Sequence, residues 1–281
     1  MDAEILFGEA AACLRANRIV EARDLFRRAG EAGSRKAAVI HCNLVASTVD
    51  WQEGLKLLRR LAETDRRCRR ELDIVEAMAP GPPPAGEVLS EAPHVTLFRG
   101  LFSRDECAYL AAAAMPMLEP SVVVDAATGR QRPDPARISD GVGFTLPLEN
   151  PAVHALNRRL AAASGTEVAQ GEPLQVLRYR PGGEYKPHFD AIPGFANQRL
   201  LTMIVWLNED FDGGETMFMT TGLKAKGRTG DALLFRNALA DGRRDPDAGH
   251  AGLPVTRGEK LIASRWIRAR PFEPPLTGRA A

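Results

Sequence analysis

The sequence predicts two domains of different class, a small all-α repeat domain followed by a larger β-rich domain with a few helices. Three observations predict this division: a helical repeat within residues 1–79, a PGPPP segment at residues 80–84, and a later series of short apolar runs punctuated by glycine. The length of 281 residues suffices for one large or two ordinary domains. Hydrophobic residues make up 44% and charged residues 26%, which is typical of a folded globular protein and excludes disordered, collagen-like and coiled-coil chains.

Residues 1–79 carry a repeated pattern of helical character. Small and apolar residues at helical spacing occur in two copies 32 positions apart (54 minus 22), namely Ala22, Leu25, Phe26 and Ala29, then Gly54, Leu57, Leu58 and Leu61. The pattern predicts helical hairpins that stack as a short solenoid, each burying its apolar face on the next. Residues 26–44 resemble a Sel1/tetratricopeptide (TPR)-type repeat. Such repeats either present a docking surface for a protein or form a helical cap, and both interpretations stay open.

A proline-rich linker is predicted at residues 80–91, because no helix or central strand continues through PGPPP. The second domain then covers residues 92–273, and residues 274–281 form a tail. Apolar runs bounded by turn residues predict the strands of a sandwich or barrel at Val95–Phe98, Val122–Val124, Leu174–Tyr179, Leu200–Leu207, Ala232–Phe235 and Leu261–Ile267.

Two helices are predicted within this second domain. Ser103 and Glu106 form a capping-box sequence just before the alanine-rich stretch Cys107–Met115. A second helix is predicted over residues 151–163, with Pro151 in its first turn. The expected architecture is therefore a set of sheets with a few flanking helices.

Charge and cysteine content restrict the classes of partner. Lys and Arg number 37 and Asp and Glu 36, so the net charge of +1 favours neither nucleic acid nor an anionic membrane as a partner. The RRCRR run at residues 66–70 is interpreted as a solvated helix face. Four cysteines without a CxxC pair predict reduced thiols and a cytoplasmic location. The acidic N-terminus lacks a secretory pattern, and the longest apolar stretch, Leu200–Leu207, is too short for a membrane helix.

Two of the five histidines lie in a pattern typical of a metal site. His188 and Asp190 flank Phe189, so in an extended chain both side chains point to the same side. His250 is available as a third ligand from a distant strand. Two imidazoles and one carboxylate leave open positions on Fe(II) for a chelating cosubstrate and O2. The other histidines are interpreted as structural or surface residues: His41, His94 and His154.

Lys260 follows His250 by ten residues and begins the predicted strand Leu261–Ile267. This position places a cation near the same cavity. A buried ammonium group requires an anionic partner, because its desolvation costs several kcal/mol. The distal carboxylate of 2-oxoglutarate is such a partner.

The order of motifs around these residues resembles the prolyl 4-hydroxylase-like branch of the Fe(II)/2-oxoglutarate-dependent dioxygenases. The motifs are HVTLFRGLFSRDEC (94–107), ARISDGVGF (136–144), LRYRPGGEYKPHFD (177–190), RLLTMIVWLN (199–208), GGETMF (213–218), GDALLF (230–235), HAGLPVTRGEK (250–260) and SRWI (264–267). The resemblance implies an α+β protein whose catalytic domain is a double-stranded β-helix, a jelly-roll or cupin-like fold.

The resemblance also implies roles for individual residues. His188, Asp190 and His250 correspond to the iron ligands, and Lys260 to the anchor of the 2-oxoglutarate C5 carboxylate. Two further positions correspond to residues that contact the cosubstrate: Tyr185 and Thr202. Four positions lie toward the substrate side in the family: Arg137, Arg178, Tyr179 and Trp266.

The implied reaction is hydroxylation of an unactivated C–H bond, coupled to conversion of 2-oxoglutarate and O2 into succinate and CO2, with ascorbate as a reductant. The expected substrate is a prolyl or other residue of a protein or peptide, with the repeats as a docking surface.

Two alternatives stay open. One is a free amino acid or small metabolite, with the N-terminal domain as a dimerisation element. The other is a catalytically silent scaffold or binding protein that uses the helical repeats. A nucleic-acid demethylase of the AlkB type shares the metal triad, but Lys260 fits the hydroxylase branch better.

Two residues depart from the family pattern. Leu261 replaces the usual aromatic residue after the lysine, and Met219 replaces the proline usual after the GGxTxF motif. These differences affect the expectation of prolyl specificity and leave the iron ligands intact. The segment 125–140 lies where family members place a mobile segment over the substrate, and lids of this kind recur in enzymes.

Overall fold

The computed structural model describes residues 2–124, 131–133 and 136–272. Its described residues form two compact units. The first unit, called here the helical unit, comprises residues 2–80 and 144–156. The second, the oxygenase unit, comprises the described residues of 81–143 and residues 157–272.

Five helices account for most of the helical unit: α1 (Ala3–Arg15), α2 (Ile19–Glu31), α3 (Arg35–Thr48), α4 (Trp51–Ala62) and α5 (Arg66–Ala77). Four of them begin at a residue whose side chain accepts a hydrogen bond from a first-turn amide, and these are Asp2, Ser34, Asp50 and Asp65. The two repeat copies lie in α2 and α4, and most of their small and apolar residues are buried. The predicted helical repeat is therefore consistent with the structure.

The segment 144–156 belongs to the helical unit because its side chains pack on the helices. Leu146 packs against the cluster formed by α1, α2 and α3, which includes Leu6 and Phe26. Asn43 of α3 is buried and donates a hydrogen bond to the carbonyl of Pro147 at 3.0 Å. Part of the repeat surface is thus already occupied by this chain.

The remaining elements of the described residues are two α-helices, sixteen strands and three short 3-10 helices. The helices are α6 (Arg104–Ala114) and α7 (Pro151–Ser164). The strands are β1 (Gly86–Glu91), β2 (His94–Phe98), β3 (Glu119–Pro120), β4 (Val122–Val124), β5 (Gln131–Pro133), β6 (Asp140–Phe144), β7 (Leu174–Tyr179), β8 (Tyr185–His188), β9 (Arg199–Trp206), β10 (Phe211–Gly213), β11 (Thr216–Phe218), β12 (Lys224–Ala225), β13 (Ala232–Arg236), β14 (His250–Gly252), β15 (Val255–Gly258) and β16 (Lys260–Arg268).

Two sheets enclose the core of the oxygenase unit. The larger has eight strands in the order β1-β2-β13-β9-β16-β7-β6-β3, and the smaller has four in the order β12-β11-β14-β8. Side chains of both sheets meet in one apolar cluster, with Trp206, Phe235 and Ile262 from the larger sheet and Phe218 and Ala225 from the smaller. Every strand predicted from an apolar run is present, and both predicted helices are present, α6 with the Ser103–Glu106 capping box.

The linker prediction is wrong for its second half. Gly86–Glu91 forms strand β1 and pairs antiparallel with β2. The segment lacks an apolar run because β1 is an edge strand whose side chains are largely exposed, so hydrophobic patterning does not reveal it. In the predicted lid, residues 125–130 and 134–135 lie outside the described residues, whereas 131–133 form β5 and Asp140 begins β6.

The structure also shows the state of the cysteines and whether any described helix could span a membrane. All four cysteines are free and buried: Cys13, Cys42, Cys68 and Cys107. Among the described residues, no helix combines the length and the apolar character needed to cross a bilayer.

Candidate active site

Strand register places the two metal-site histidines next to each other. In the antiparallel pair of β8 and β14, His188 lies directly opposite His250, and cross-strand partners present their side chains on the same face of a sheet. Asp190 lies two residues after His188, at a bend just past the end of β8, and its carboxylate comes close to both histidines. The three side chains form the one described group of potential ligands whose donor atoms lie within 4.8 Å of one another.

The carboxylate of Asp190 lies between the two imidazoles. Its Oδ1 is 3.6 Å from Nε2 of His188, and its Oδ2 is 3.7 Å from Nε2 of His250. Both Nδ1 atoms lie within hydrogen-bond distance of a backbone carbonyl, that of Lys186 at 2.8 Å and that of Ala248 at 3.0 Å. A ring that donates from Nδ1 carries no proton on Nε2 when neutral, so both Nε2 lone pairs face the carboxylate and are available to a metal.

Electrostatics favour the ligand forms of these groups. Burial, together with the neighbouring His250, lowers the pKa of His188 to about 4, which keeps this imidazole neutral at physiological pH. Burial opposes ionisation of Asp190, but the two imidazoles and a hydrogen bond from Thr202 outweigh it and hold the pKa of Asp190 below its ordinary value. The set offers two imidazole nitrogens and one carboxylate oxygen, which suits Fe(II).

Tyr185 reaches the same face through an irregularity in β8. The pairing advances three residues on β8, from Tyr185 to His188, but only two on β14, from Gly252 to His250. The extra residue turns both Tyr185 and His188 to one side of the sheet. Their rings stack at 3.5 Å between centroids, and the guanidinium of Arg137 lies over the Tyr185 ring at 5.3 Å.

Thr202 lies at the centre of the larger sheet. It pairs with Phe235 of β13 on one side and with Trp266 of β16 on the other. Its hydroxyl donates to Oδ2 of Asp190 at 2.6 Å. The sequence predicts Thr202 as a pocket residue, and the structure adds that it orients a metal-site carboxylate.

Lys260 provides a buried cation in the pocket. Its Nζ donates to the carbonyl of Gly214 at 2.7 Å and lies 5.2 Å from the Tyr179 ring centroid. Burial lowers the pKa of Lys260 to about 8, and no carboxylate of the described residues lies within ion-pair distance of it. An ammonium group in this position suits an external carboxylate, because such a partner offsets its desolvation.

One pocket joins the metal site to this cation. Its polar lining includes nine of the ten residues singled out in the sequence, namely Arg137, Tyr179, Tyr185, His188, Asp190, Thr202, His250, Lys260 and Trp266. Apolar side chains of Leu177, Ile204 and Ile262 complete the wall. The combination of an apolar wall with few converging polar groups is typical of a small-molecule site.

Arg178 is the predicted substrate-side residue that the structure places elsewhere. Its guanidinium donates to the carboxylate of Asp140 at 2.9 and 3.1 Å. Successive side chains of a strand alternate between its two faces, and Tyr179 takes the pocket side of β7. Arg178 therefore lies outside the pocket lining and pairs with Asp140.

The position of Trp266 is fixed by an ion-pair cluster that the sequence did not reveal. Arg199 stacks on the indole at 3.6 Å and forms two hydrogen bonds with the carboxylate of Glu172, at 2.6 and 2.9 Å. Arg268 binds the same carboxylate at 2.7 Å. These residues lie far apart in sequence, so only the fold reveals their proximity.

The remaining histidines occupy structural or surface positions, as predicted. His154 is buried and pairs with Glu149 at 2.8 Å, while its ring lies 5.6 Å from that of Trp51. His41 contacts the carbonyl of Arg23 at 3.1 Å, and His94 lies beside Glu91.

Comparison with known proteins agrees with this geometry. Residues 174–268 match the family described as the 2OG-Fe(II) oxygenase superfamily. Prolyl 4-hydroxylase 1 of Arabidopsis thaliana is 36% identical over 203 residues, covering 66% of this chain and 72% of that protein. The chain belongs to the prolyl 4-hydroxylase family. Prolyl 4-hydroxylase 5 of the same plant is 30% identical over 211 residues, with coverages of 66% and 72%.

A solved member of similar structure is the viral collagen prolyl hydroxylase vCPH of Paramecium Bursaria Chlorella virus-1, in its 2OG complex. It shares 30% identity and a TM-score of 0.52, covering 65% of this chain and 99% of that chain. The predicted jelly-roll fold is confirmed by this similarity. This prolyl 4-hydroxylase homologue is a 2-oxoglutarate-dependent dioxygenase that uses Fe(II) and 2-oxoglutarate.

Proposed function

We propose that the protein hydroxylates prolyl residues of a protein or peptide, with His188, Asp190 and His250 as the iron ligands and Lys260 as the anchor of 2-oxoglutarate. One observation carries this proposal: a single pocket joins the histidine and aspartate donor atoms, within 4.8 Å of one another, to a buried ammonium group that forms no salt bridge with a carboxylate of the described residues. The donor set fits Fe(II), and the cation fits a dicarboxylate.

The residues of the chain act by binding and orientation. When bound, Fe(II) would activate O2, the oxidant, with 2-oxoglutarate as the co-reductant, which is chemistry that the side chains themselves lack. Asp190 would compensate part of the metal charge, and Lys260 would pair with the distal carboxylate of the cosubstrate. The apolar side chains of Leu177, Ile204 and Ile262 exclude water around that ion pair, which strengthens it.

The substrate proposal rests on the relatives and on the lining of the pocket. The similar plant proteins are prolyl 4-hydroxylases, and the similar viral protein is a collagen prolyl hydroxylase. Arg137, Tyr179 and Trp266 line the pocket beside the metal site, where they can hold a chain segment with one C–H bond close to the metal. Met219 is 46% exposed in place of the family proline, so it is accessible to a substrate.

We also propose that the protein acts in the cytoplasm and that a protein partner docks on the helical repeats. Four free buried thiols support a reducing compartment. Because the segment 144–156 already packs on α1–α3, a docking partner would use the solvent-exposed faces of the helices. The oxygenase unit would then modify a residue of that partner or of a protein bound to it.

A peptide screen tests the substrate class. The full-length protein is incubated with Fe(II), 2-oxoglutarate, ascorbate and a set of peptides that differ only in having proline or alanine at one position, and oxygen addition is mapped by mass spectrometry alongside succinate release. We expect oxygen on proline and equimolar succinate, and neither with His188→Ala. Coupled turnover of free amino acids with no turnover of peptides would contradict the proposed substrate class. Absence of coupled turnover with every substrate would favour the scaffold alternative.

A further inference from the structure

A buried asparagine lies behind the metal site, outside the set of residues that line the pocket. Asn237 directly follows β13 and is 1% exposed. Its backbone is held on two sides, because its amide donates to the carbonyl of Leu200 at 2.8 Å and its carbonyl accepts from the amide of Asp245 at 2.9 Å. The side chain of Asn237 is therefore held in a fixed position beside β9.

Three side chains form a chain of hydrogen bonds that ends at the metal site. Nδ2 of Asn237 lies 2.8 Å from the hydroxyl of Thr202, and that hydroxyl lies 2.6 Å from Oδ2 of Asp190. All three side chains are buried. Hydrogen bonds in such surroundings are stronger than in water and polarise one another.

The chemistry of the three groups fixes the direction of this chain. An ionised carboxylate only accepts, so the single hydroxyl proton of Thr202 is donated to Asp190. The hydroxyl oxygen then needs a donor on its other side, and the amide NH2 of Asn237 provides it. This assigns the orientation of the amide, with Nδ2 toward Thr202. The remaining Oδ1 of Asn237 is buried, with no hydrogen-bond partner among the described residues.

We infer that Asn237 is a positioning residue of the metal site and acts through Thr202. Its amide holds the Thr202 proton toward Asp190, which fixes the rotation of the carboxylate and occupies Oδ2, so that Oδ1 stays available to the metal. This inference rests on the proposed ligand role of Asp190. Groups that orient metal ligands in this way commonly contribute about 10- to 100-fold in metal affinity.

A double-mutant cycle on metal binding tests this inference without turnover. Co(II) is titrated into the full-length apoprotein, and its dissociation constant is read from the visible absorption of the bound ion. The variants are Asn237→Leu, Thr202→Val and the double variant. We expect about a 10-fold weaker affinity for each single change, and a double variant that matches Thr202→Val within about twofold, the usual scatter of such cycles.

Control variants separate this role from a general effect on packing. Asn157→Leu makes the same chemical change at another fully buried asparagine, in α7, and should leave Co(II) affinity unchanged. Asn237→Asp keeps the shape of the side chain and removes the NH2 donors, so it should weaken Co(II) binding as well, and it replaces Asn237→Leu if that variant fails to fold. Unchanged affinity in folded Asn237 variants, or losses that simply add in the double variant, would overturn the inference.

One further variant keeps this test distinct from the proposed function. His188→Ala should abolish Co(II) binding. If it binds Co(II) with wild-type affinity, the ligand assignment itself fails, whatever the result at Asn237. If it loses binding while the Asn237 variants retain wild-type affinity, only the positioning role is wrong.

Discussion

The two units of the molecule use their buried polar groups differently. In the helical unit, such groups are scattered: Asn43 binds one carbonyl, His154 pairs with Glu149, and buried Glu71 has one oxygen without a partner among the described residues. In the oxygenase unit, Asp190, His250 and Lys260 are all buried and all face one pocket. An isolated buried polar group affects folding, whereas a converging set can bind a ligand, and this difference locates the activity in the oxygenase unit.

The largest expected effect comes from removing a metal ligand. His188→Ala and Asp190→Ala should each abolish succinate production coupled to hydroxylation, because each leaves only two protein donors at the metal site. Thermal unfolding should show both variants to be folded. Coupled turnover by either folded variant would contradict the ligand assignment.

Sequence patterning predicts the helical repeats and the central strands, but it does not predict the short strands that carry the histidines. Periodicity is sufficient for the helical repeats, and apolar runs are sufficient for the central strands, because burial of those side chains decides both. The short strands β8 and β14, which position the histidines, are only four and three residues long, and no residue of β8 is fully buried, so patterning does not identify them. The family motif supplied the site residues at those positions.

Other features depend on tertiary pairing and leave no local signal. Asn237 and Thr202 lie 35 positions apart, and their contact arises from the pairing of β9 with β13. The alternation that turns Arg178 away from the pocket depends on which face of β7 meets the smaller sheet. Neither could be read from spacing along the chain.

The next largest effect is expected at the buried cation. Lys260→Met should raise the concentration of 2-oxoglutarate required for half-maximal rate by about 100-fold or more, since the distal carboxylate would be buried without a counter-charge. Steady-state kinetics with varied 2-oxoglutarate measures this change. The matched control is Lys224→Met, an exposed lysine of β12 that does not line the pocket, and it should leave the requirement unchanged. An effect of Lys260→Met confined to the prime substrate would show that the anchor is misassigned.

A core substitution in the helical unit should lower the free energy of unfolding without changing the 2-oxoglutarate requirement. Leu58 is 1% exposed in α4, and Leu58→Ala should lower the free energy of unfolding by about 2 to 5 kcal/mol through lost burial and a residual cavity. The 2-oxoglutarate requirement of the folded protein should not change. Denaturant unfolding and kinetics on the same sample measure both quantities. A raised 2-oxoglutarate requirement at a temperature where the variant is fully folded would show that the core of the helical unit also affects cosubstrate binding, and would contradict the difference between the units.

The smallest expected effect is a pH dependence that belongs to the helical unit. Burial, reinforced by Asp65 and opposed by Arg67, raises the pKa of Glu71 from 4.5 to about 7. Between these values the folded state holds a proton that the unfolded state has released, so this group reduces stability as pH rises from about 4.5 to about 7, by at most about 3 kcal/mol. Glu71→Gln should abolish this contribution. Thermal midpoints of both proteins across this pH range measure it, and parallel curves would contradict it.

The assigned active site requires that one pocket bind Fe(II) and 2-oxoglutarate together. The most direct measurement is an anaerobic titration of the apoprotein with Fe(II) in the presence of 2-oxoglutarate, followed by the visible metal-to-ligand charge-transfer absorption. We predict a band that saturates at one iron per chain and that is absent in folded His188→Ala. A well-folded wild-type protein without this band would contradict the assignment of the pocket.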